Sequence, residues 1–164
     1  MTKVLQVVGY KNTGKTTLVC HIIKAFAEQG WKVGSIKHDA HEFEVDHEGK
    51  DTWKHREAGA SVVAITSKSK TAIMENRPTS LEQLIERMHG LDLIIVEGYK
   101  SENYPKLVLV KDEPSSIITE EASNILAICS WIPLQHETLP VIDINDLESI
   151  IQLIKNQYDL REKC

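Results

Sequence analysis

The residues best suited to chemistry lie near the start of the chain, in Gly9-Tyr10-Lys11-Asn12-Thr13-Gly14-Lys15-Thr16. Their spacing is G-x-x-x-x-G-K-[ST], the pattern of a loop that cradles phosphate. Gly9 and Gly14 allow a tight turn and a close backbone approach to an anion. Successive N–H groups then point inward, and the following helix adds its unpaired donors and the positive end of its dipole. In this pattern Lys15 reaches the β- and γ-phosphates and the Thr16 hydroxyl ligates Mg²⁺. Thr17 extends the set, so Gly9, Lys11, Asn12, Thr13, Gly14, Lys15, Thr16 and Thr17 are the candidate nucleotide-binding residues. The ligand implied is a nucleoside triphosphate.

Such a loop needs a strand before it and a helix after it. Val4–Val8 is a short apolar run, and Thr17–Gln29 places Leu18, Val19, Ile22, Ile23 and Phe26 on one helical face, with Gly30 as a stop. Cys20 falls within this apolar pattern and reads as core. Trp31–Lys37 predicts the next strand, and His41–Lys50 is aperiodic and reads as a loop. Asp51 is placed as the N-cap of a short helix over Thr52–Ala58. Val62–Thr66 and Thr71–Glu75, joined by Ser67–Lys70, predict a hairpin. Ser80 and Gln83 form a capping box for a helix ending near Gly90. Leu91–Val96 is a continuous apolar run, as expected of a strand buried on both faces. Further strands are read at Lys106–Val110, Ile125–Cys129 and Pro140–Asp143, a closing helix at Leu147–Gln157, and a loose tail over 158–164. Alternating strands and helices predict an α/β fold, a mostly parallel sheet with helices on both faces. At 164 residues a single domain is expected.

In open parallel sheets ligands sit at the carboxyl ends of the strands. Gly9, His38-Asp39 and Glu97 all fall just past predicted strand ends and can share one edge. Glu97 is therefore a candidate partner of Mg²⁺ together with Thr16, or an orienter of the attacking water. The segment from Lys37 to Thr52 is dense in ligand-type side chains and has three readings. Asp39 or Asp51 holds a magnesium water or the attacking water, with Lys50 screening phosphate charge. Alternatively His38, His41, His47 and His55 bind zinc or nickel, although no closed zinc template fits their spacing. The third reading is a solvated charged loop. No N-K-x-D element selects guanine. Lys111-Asp112 is a partial echo, equally readable as an exposed turn.

The charge balance, 19 Lys+Arg against 24 Asp+Glu for a net −5, shows no basic stripe, so nucleic acid is not expected as a partner. No apolar run approaches the ~20 residues of a membrane span. The first strand follows Met1 too closely for a signal peptide. Three widely spaced cysteines fit reduced thiols, and a cytoplasmic setting is expected.

Four blocks together are more discriminating than the phosphate loop alone. They are Gly9–Thr17 (GYKNTGKTT), Ile36–Asp39 leading to Gly49–Thr52 (GKDT), Glu57–Ala60 (EAGA), and Leu93–Lys100 (LIIVEGYK); Pro140–Asp146 (PVIDIND) agrees. In these the chain resembles the molybdopterin-guanine dinucleotide biosynthesis protein B family. That resemblance implies a three-layer P-loop NTPase fold of the nitrogenase-iron-protein-like branch, GTP and Mg²⁺ as cofactors, and weak GTP hydrolysis. It also implies a homodimer that assists the guanylyltransferase attaching GMP to molybdopterin, with the pterin itself among the candidate partners. By position, Lys11 to Thr17 touch phosphates, while Glu97 and Asp39 or Asp51 serve metal and water. Two departures stand out. Lys11 is one place from the second, signature lysine of some relatives, and Cys129-Ser130-Trp131 stands where many end the strand with Asp, leaving the base contact unassigned. Three functions are carried forward: a GTP-loaded adapter, a nickel or zinc metallochaperone GTPase suggested by the histidines, and a small-molecule kinase, which would need an arginine-rich lid.

Overall fold

The computed structural model describes residues 2–39 and 42–160 and divides the chain into two compact units. One comprises residues 1–38 and 85–164, the other residues 39–84. The larger unit is built on a six-stranded sheet of β1 (Lys3–Gly9), β2 (Val33–Lys37), β5 (Leu93–Glu97), β6 (Lys106–Val110), β7 (Ile125–Ser130) and β8 (Val141–Asp143). Their order across the sheet is β2-β5-β1-β6-β7-β8, and every neighbouring pair is parallel. All carboxyl ends therefore share one edge. The chain moves to one side of β1 for β2 and β5 and to the other for β6 to β8, so the order reverses beside β1. That reversal opens the crevice in which sheets of this kind bind ligands.

Strand composition follows from burial. β5 and β6 are buried at every position, and both read as continuous apolar runs apart from Glu97 and Lys106. On one face Leu5, Val7, Leu93, Ile95, Leu107 and Leu109 meet α1 (Lys15–Glu28) and α5 (Leu147–Tyr158) through Leu18, Ile22, Phe26, Ile150 and Ile154. On the other face Val8, Val108, Val110 and Ile128 pack on Ile118 of the short α4 (Ile118–Glu121), with Leu134 and Leu139 beside them. Helices on both faces of a parallel sheet are thus present, as expected. Among the described residues no helix is long and apolar enough to cross a membrane.

The smaller unit holds α2 (Asp51–Glu57) and the antiparallel hairpin β3 (Val62–Thr66) and β4 (Thr71–Glu75), with Val62 opposite Glu75 and Thr66 opposite Thr71. Arg56 of α2 donates to Glu44 at 3.0 Å, and the Thr52 hydroxyl donates to Asp46 at 3.1 Å, fixing the segment that leads into the helix. α3 (Leu81–Arg87) runs across the boundary between the units, and its predicted capping box is present: Gln83 N donates to Ser80 Oγ and Ser80 N to Gln83 Oε1.

Three expectations change, and one open reading closes. Cys20 is exposed, because it lies two residues from both Leu18 and Ile22 and so on the opposite side of α1. Asp51 is the first helical residue and Lys50 the cap, with no side-chain capping bond. Residues 158–160 are tied down: the Tyr158 hydroxyl donates to the Val4 carbonyl and Leu160 is buried. The remainder of that tail lies outside the described residues. Lastly, Glu113–Ile117 forms a 3₁₀ turn that continues into α4. Its cap is Asp112, whose Oδ1 accepts from Ser115 N at 2.9 Å, so Lys111-Asp112 is a turn.

Truncating Ile22 to Ala is expected to cost about 3 kcal/mol of unfolding free energy in urea melts, while Cys20→Ser stays within about 0.5. Equal losses would show that the helix is buried on a different face.

Candidate functional site

The phosphate loop bridges β1 and α1. Asn12 and Gly14 take positive φ, 62° and 93°, and α1 begins at Lys15, two residues earlier than the periodicity predicts. The amides of Lys15 and Thr16 therefore belong to the first helical turn, where they have no intrahelical acceptor. Close packing fixes the glycine at position 9. A Cβ there would fall 2.6 Å from Thr13 Oγ1, the hydroxyl that donates to the Tyr10 carbonyl at 2.9 Å. Lys15 Nζ folds over the loop and donates to the carbonyls of Gly9 at 2.9 Å and Tyr10 at 2.7 Å. Burial holds this ammonium below the ordinary lysine range, with neighbouring Lys37 adding to the effect and Glu97 opposing it.

Glu97 is the last residue of β5 and is buried. Thr16 Oγ1 donates to its Oε1 at 2.9 Å, so the end of β5 is tied to the first turn of α1. The loop after Glu97 turns sharply, with φ 93° at Gly98 and 55° at Tyr99. Gln6, a fully buried amide in an otherwise apolar strand, holds that loop. Its Nε2 donates to the carbonyls of Gly98 and Tyr99 at 3.1 and 2.6 Å, and its Oε1 accepts from Tyr104 N at 3.2 Å. Every polar atom of this side chain is thereby used, as burial demands.

His38 follows β2 on the same edge. Its N–H donates to the Glu97 carbonyl at 2.9 Å, and its ring lies 4.4 Å from that of Tyr99. The sheet thus brings together Gly9, Lys15, Thr16, Glu97 and His38, as the strand-end rule anticipates. Asp39 and Asp51 belong to the smaller unit, where Asp51 forms an ion pair with Lys54 at 3.6 Å. Among the described residues no group of three or more His, Cys, Asp or Glu is arranged to hold a metal, and His41 lies outside them. Of the arginines, Arg56 is paired with Glu44, and Arg77 with Glu75 at 2.7 Å.

Three features have only faint signals in the sequence. Glu121 Oε2 accepts from Tyr10 Oη at 3.1 Å and from Lys100 Nζ at 2.6 Å. Both bonds, the lysine's first, hold its carboxyl below the usual range. This exposed latch joins the phosphate loop, the loop after Glu97 and α4. Lys111, just past β6, reaches the Asn12 carbonyl at 3.4 Å. Trp131, just past β7, donates from Nε1 to the Thr13 carbonyl at 2.8 Å and abuts Gly14.

The donor set fits a phosphate–magnesium pair. A hydroxyl and a carboxylate already in contact supply the hard oxygens Mg²⁺ prefers, and an ammonium resting on carbonyls is placed to exchange them for phosphate oxygens.

Comparison with known proteins agrees with this geometry. The sequence model of the family described as molybdopterin guanine dinucleotide synthesis protein B matches residues 4–131. The chain is 35% identical over 156 residues to a molybdopterin-guanine dinucleotide biosynthesis adapter protein of Haemophilus influenzae, covering 93% of this chain and 87% of that protein. It is 34% identical over 164 residues to the Escherichia coli protein of the same description, covering 94% and 92%. The crystal structure of Bacillus subtilis MobB superposes with a TM-score of 0.84 at 30% identity, covering 97% of this chain and 99% of that one. Phosphate loop, parallel sheet and relatives agree: the chain belongs to the molybdopterin guanine dinucleotide synthesis protein B family.

Proposed function

We propose that this protein is a GTP-binding adapter in molybdopterin guanine dinucleotide biosynthesis, a weak Mg²⁺-dependent GTPase that assists the guanylyltransferase attaching GMP to molybdopterin. The single observation that carries the nucleotide half of the reading is the Thr16–Glu97 hydrogen bond beside Lys15. It joins the hydroxyl and the carboxylate that a magnesium ion would share. The adapter half is supported by the relatives' descriptions.

In this reading the loop from Gly9 to Thr17 wraps the triphosphate and Lys15 bridges its terminal phosphates. Thr16, with Glu97 directly or through a water, would hold Mg²⁺, which would supply neutralisation of the charge developing on the γ-phosphoryl group. Asp39 or Asp51 would hold a magnesium water or the attacking water, so that γ-phosphate would order the segment containing it. An adapter of this kind needs little turnover. Exposed Phe43, Val45, Ile65 and Ile73 in the smaller unit support a contact surface there for the partner enzyme. A homodimer working in the cytoplasm, with one nucleotide-binding domain per chain, completes the proposal.

Lys15→Ala should weaken GTP binding by about 100-fold or more, since a charge-assisted bond and a desolvated partner are lost together. Glu97→Gln should leave affinity within about fivefold while single-turnover phosphate release falls at least about tenfold. Calorimetry and a phosphate-release assay separate the two, and undiminished GTP affinity in Lys15→Ala would contradict the site. The lowered Lys15 gives a pH signature as well. Bound triphosphate would raise its pKa, so affinity is full below the free-state value and declines as pH rises through the bound-state value. Binding in alkaline buffers should therefore take up protons, visible as a dependence of the heat on the buffer's ionisation enthalpy. A heat independent of buffer would count against Lys15 as the phosphate ligand.

A further inference from the structure

Tyr10 is held from two sides. Its main-chain carbonyl accepts from Lys15 Nζ at 2.7 Å and from Thr13 Oγ1 at 2.9 Å, and its ring hydroxyl donates to Glu121 Oε2 at 3.1 Å. Lys100 Nζ donates to the same oxygen at 2.6 Å and stands 5.8 Å from the centre of the Tyr10 ring. We propose that this three-residue latch is an autoinhibitory contact: it holds the phosphate loop in its unloaded arrangement, and a triphosphate must open it to bind at full strength. The latch presupposes the triphosphate reading above and deepens it, adding a control on loading.

Tyr10 is the residue that loading and latch share. Lys15 must leave the Gly9 and Tyr10 carbonyls to meet phosphate. Its departure takes a charge-assisted bond from Tyr10 on the inside of the loop. Glu121 grips the same residue from outside, and so favours the position Tyr10 has while Lys15 rests on its carbonyl. Charge acts in the same direction. Glu121 sets a carboxylate against the loop that is to receive several negative charges, and it engages the ammonium of Lys100, three residues past Glu97. An arriving triphosphate repels the first and attracts the second, so both forces open the latch.

The segments that carry the latch are fastened independently of it. Lys106 Nζ joins the Glu102 and Ser123 carbonyls, Asn124 Nδ2 reaches the Asn103 carbonyl at 3.4 Å, and buried Ile118 anchors α4. Tyr10, Lys100 and Glu121 themselves are exposed. Opening therefore gives up a few side-chain contacts and no core, and an exposed ion pair is weak enough for a bound phosphate to overturn. Lys100 is held above the ordinary lysine range chiefly by its bond to Glu121, and Glu121 below the carboxylate range chiefly by Lys100, so each charge supports the other. Coupling between two sites is reciprocal: a latch that nucleotide opens is one whose loss favours nucleotide.

Calorimetry with Mg²⁺ and GTP on the whole chain tests this. Glu121→Gln and Tyr10→Phe, both at exposed positions, should each bind GTP about two- to fivefold more tightly than wild type. The double variant should gain no more than the better single one, since both remove one contact. Tyr10→Phe changes no charge, so plain repulsion between Glu121 and phosphate would leave it at the wild-type value. Melting gives a second readout: a fixed excess of Mg²⁺ and GTP should raise Tm more in Glu121→Gln than in wild type, while the nucleotide-free Tm stays level or falls. GTP affinity unchanged or weakened in Tyr10→Phe, gains that multiply in the double variant, or a Tm shift no larger than wild type's would each overturn the latch and leave the phosphate-loop reading standing. If the wild-type protein binds no GTP, that reading fails and the latch with it.

Discussion

The hydrogen bond from Thr16 to Glu97 is the contact on which the functional edge depends, because it joins residues 81 positions apart at the one place where strand ends and helix start meet. It exists because β5 is the immediate parallel neighbour of β1, with Val7 in register with Glu97. Parallel pairing puts the carboxyl ends of both strands at the same level, and α1 must begin there. Whatever binds the amides of the helix start is therefore beside the carboxylate. An antiparallel β5 would carry Glu97 to the far edge and leave Thr16 without its carboxylate partner.

Around this contact the molecule uses buried polar groups as fasteners. Gln6 occupies an apolar strand because three backbone groups of the loop after Glu97 need partners, and one amide satisfies them all. Lys106 is likewise fully buried and donates to the carbonyls of Glu102 and Ser123, at 2.8 and 2.6 Å. Burial lowers its affinity for a proton. Removing either side chain would strand backbone carbonyls in the interior, which costs more than the bonds themselves contribute. These fasteners let Gly98 and Tyr99 hold left-handed conformations next to the site. The Tyr10–Glu121–Lys100 latch differs in kind. It is exposed and held by charge, so it can open without disturbing the core.

Much of this was readable from local pattern. The glycine spacing, the apolar run ending in Glu97, and the alternation of strands with helices depend on neighbours in sequence, and these positions emerge as expected. Cys20 misled because an apolar residue inside an apolar helix looks buried until its angle from Leu18 and Ile22 is considered. Residues 113–121 had no periodic signal, since a 3₁₀ turn and one helical turn are too short to show one. Glu121 could not be recognised, because its partners are Tyr10, 111 positions away, and Lys100. Trp131 showed only as a departure from relatives. Its tether to Thr13 spans 118 positions and exists only once β7 has been placed two strands from β1.

The most direct measurement of the central claim is a crystal structure with Mg²⁺ and a non-hydrolysable GTP analogue. Expected is a triphosphate on the amides from Gly9 to Thr17, Lys15 moved from the carbonyls of Gly9 and Tyr10 onto phosphate oxygens, and the cation between Thr16 and Glu97. A nucleotide bound elsewhere, or a cation held without either residue, would contradict it.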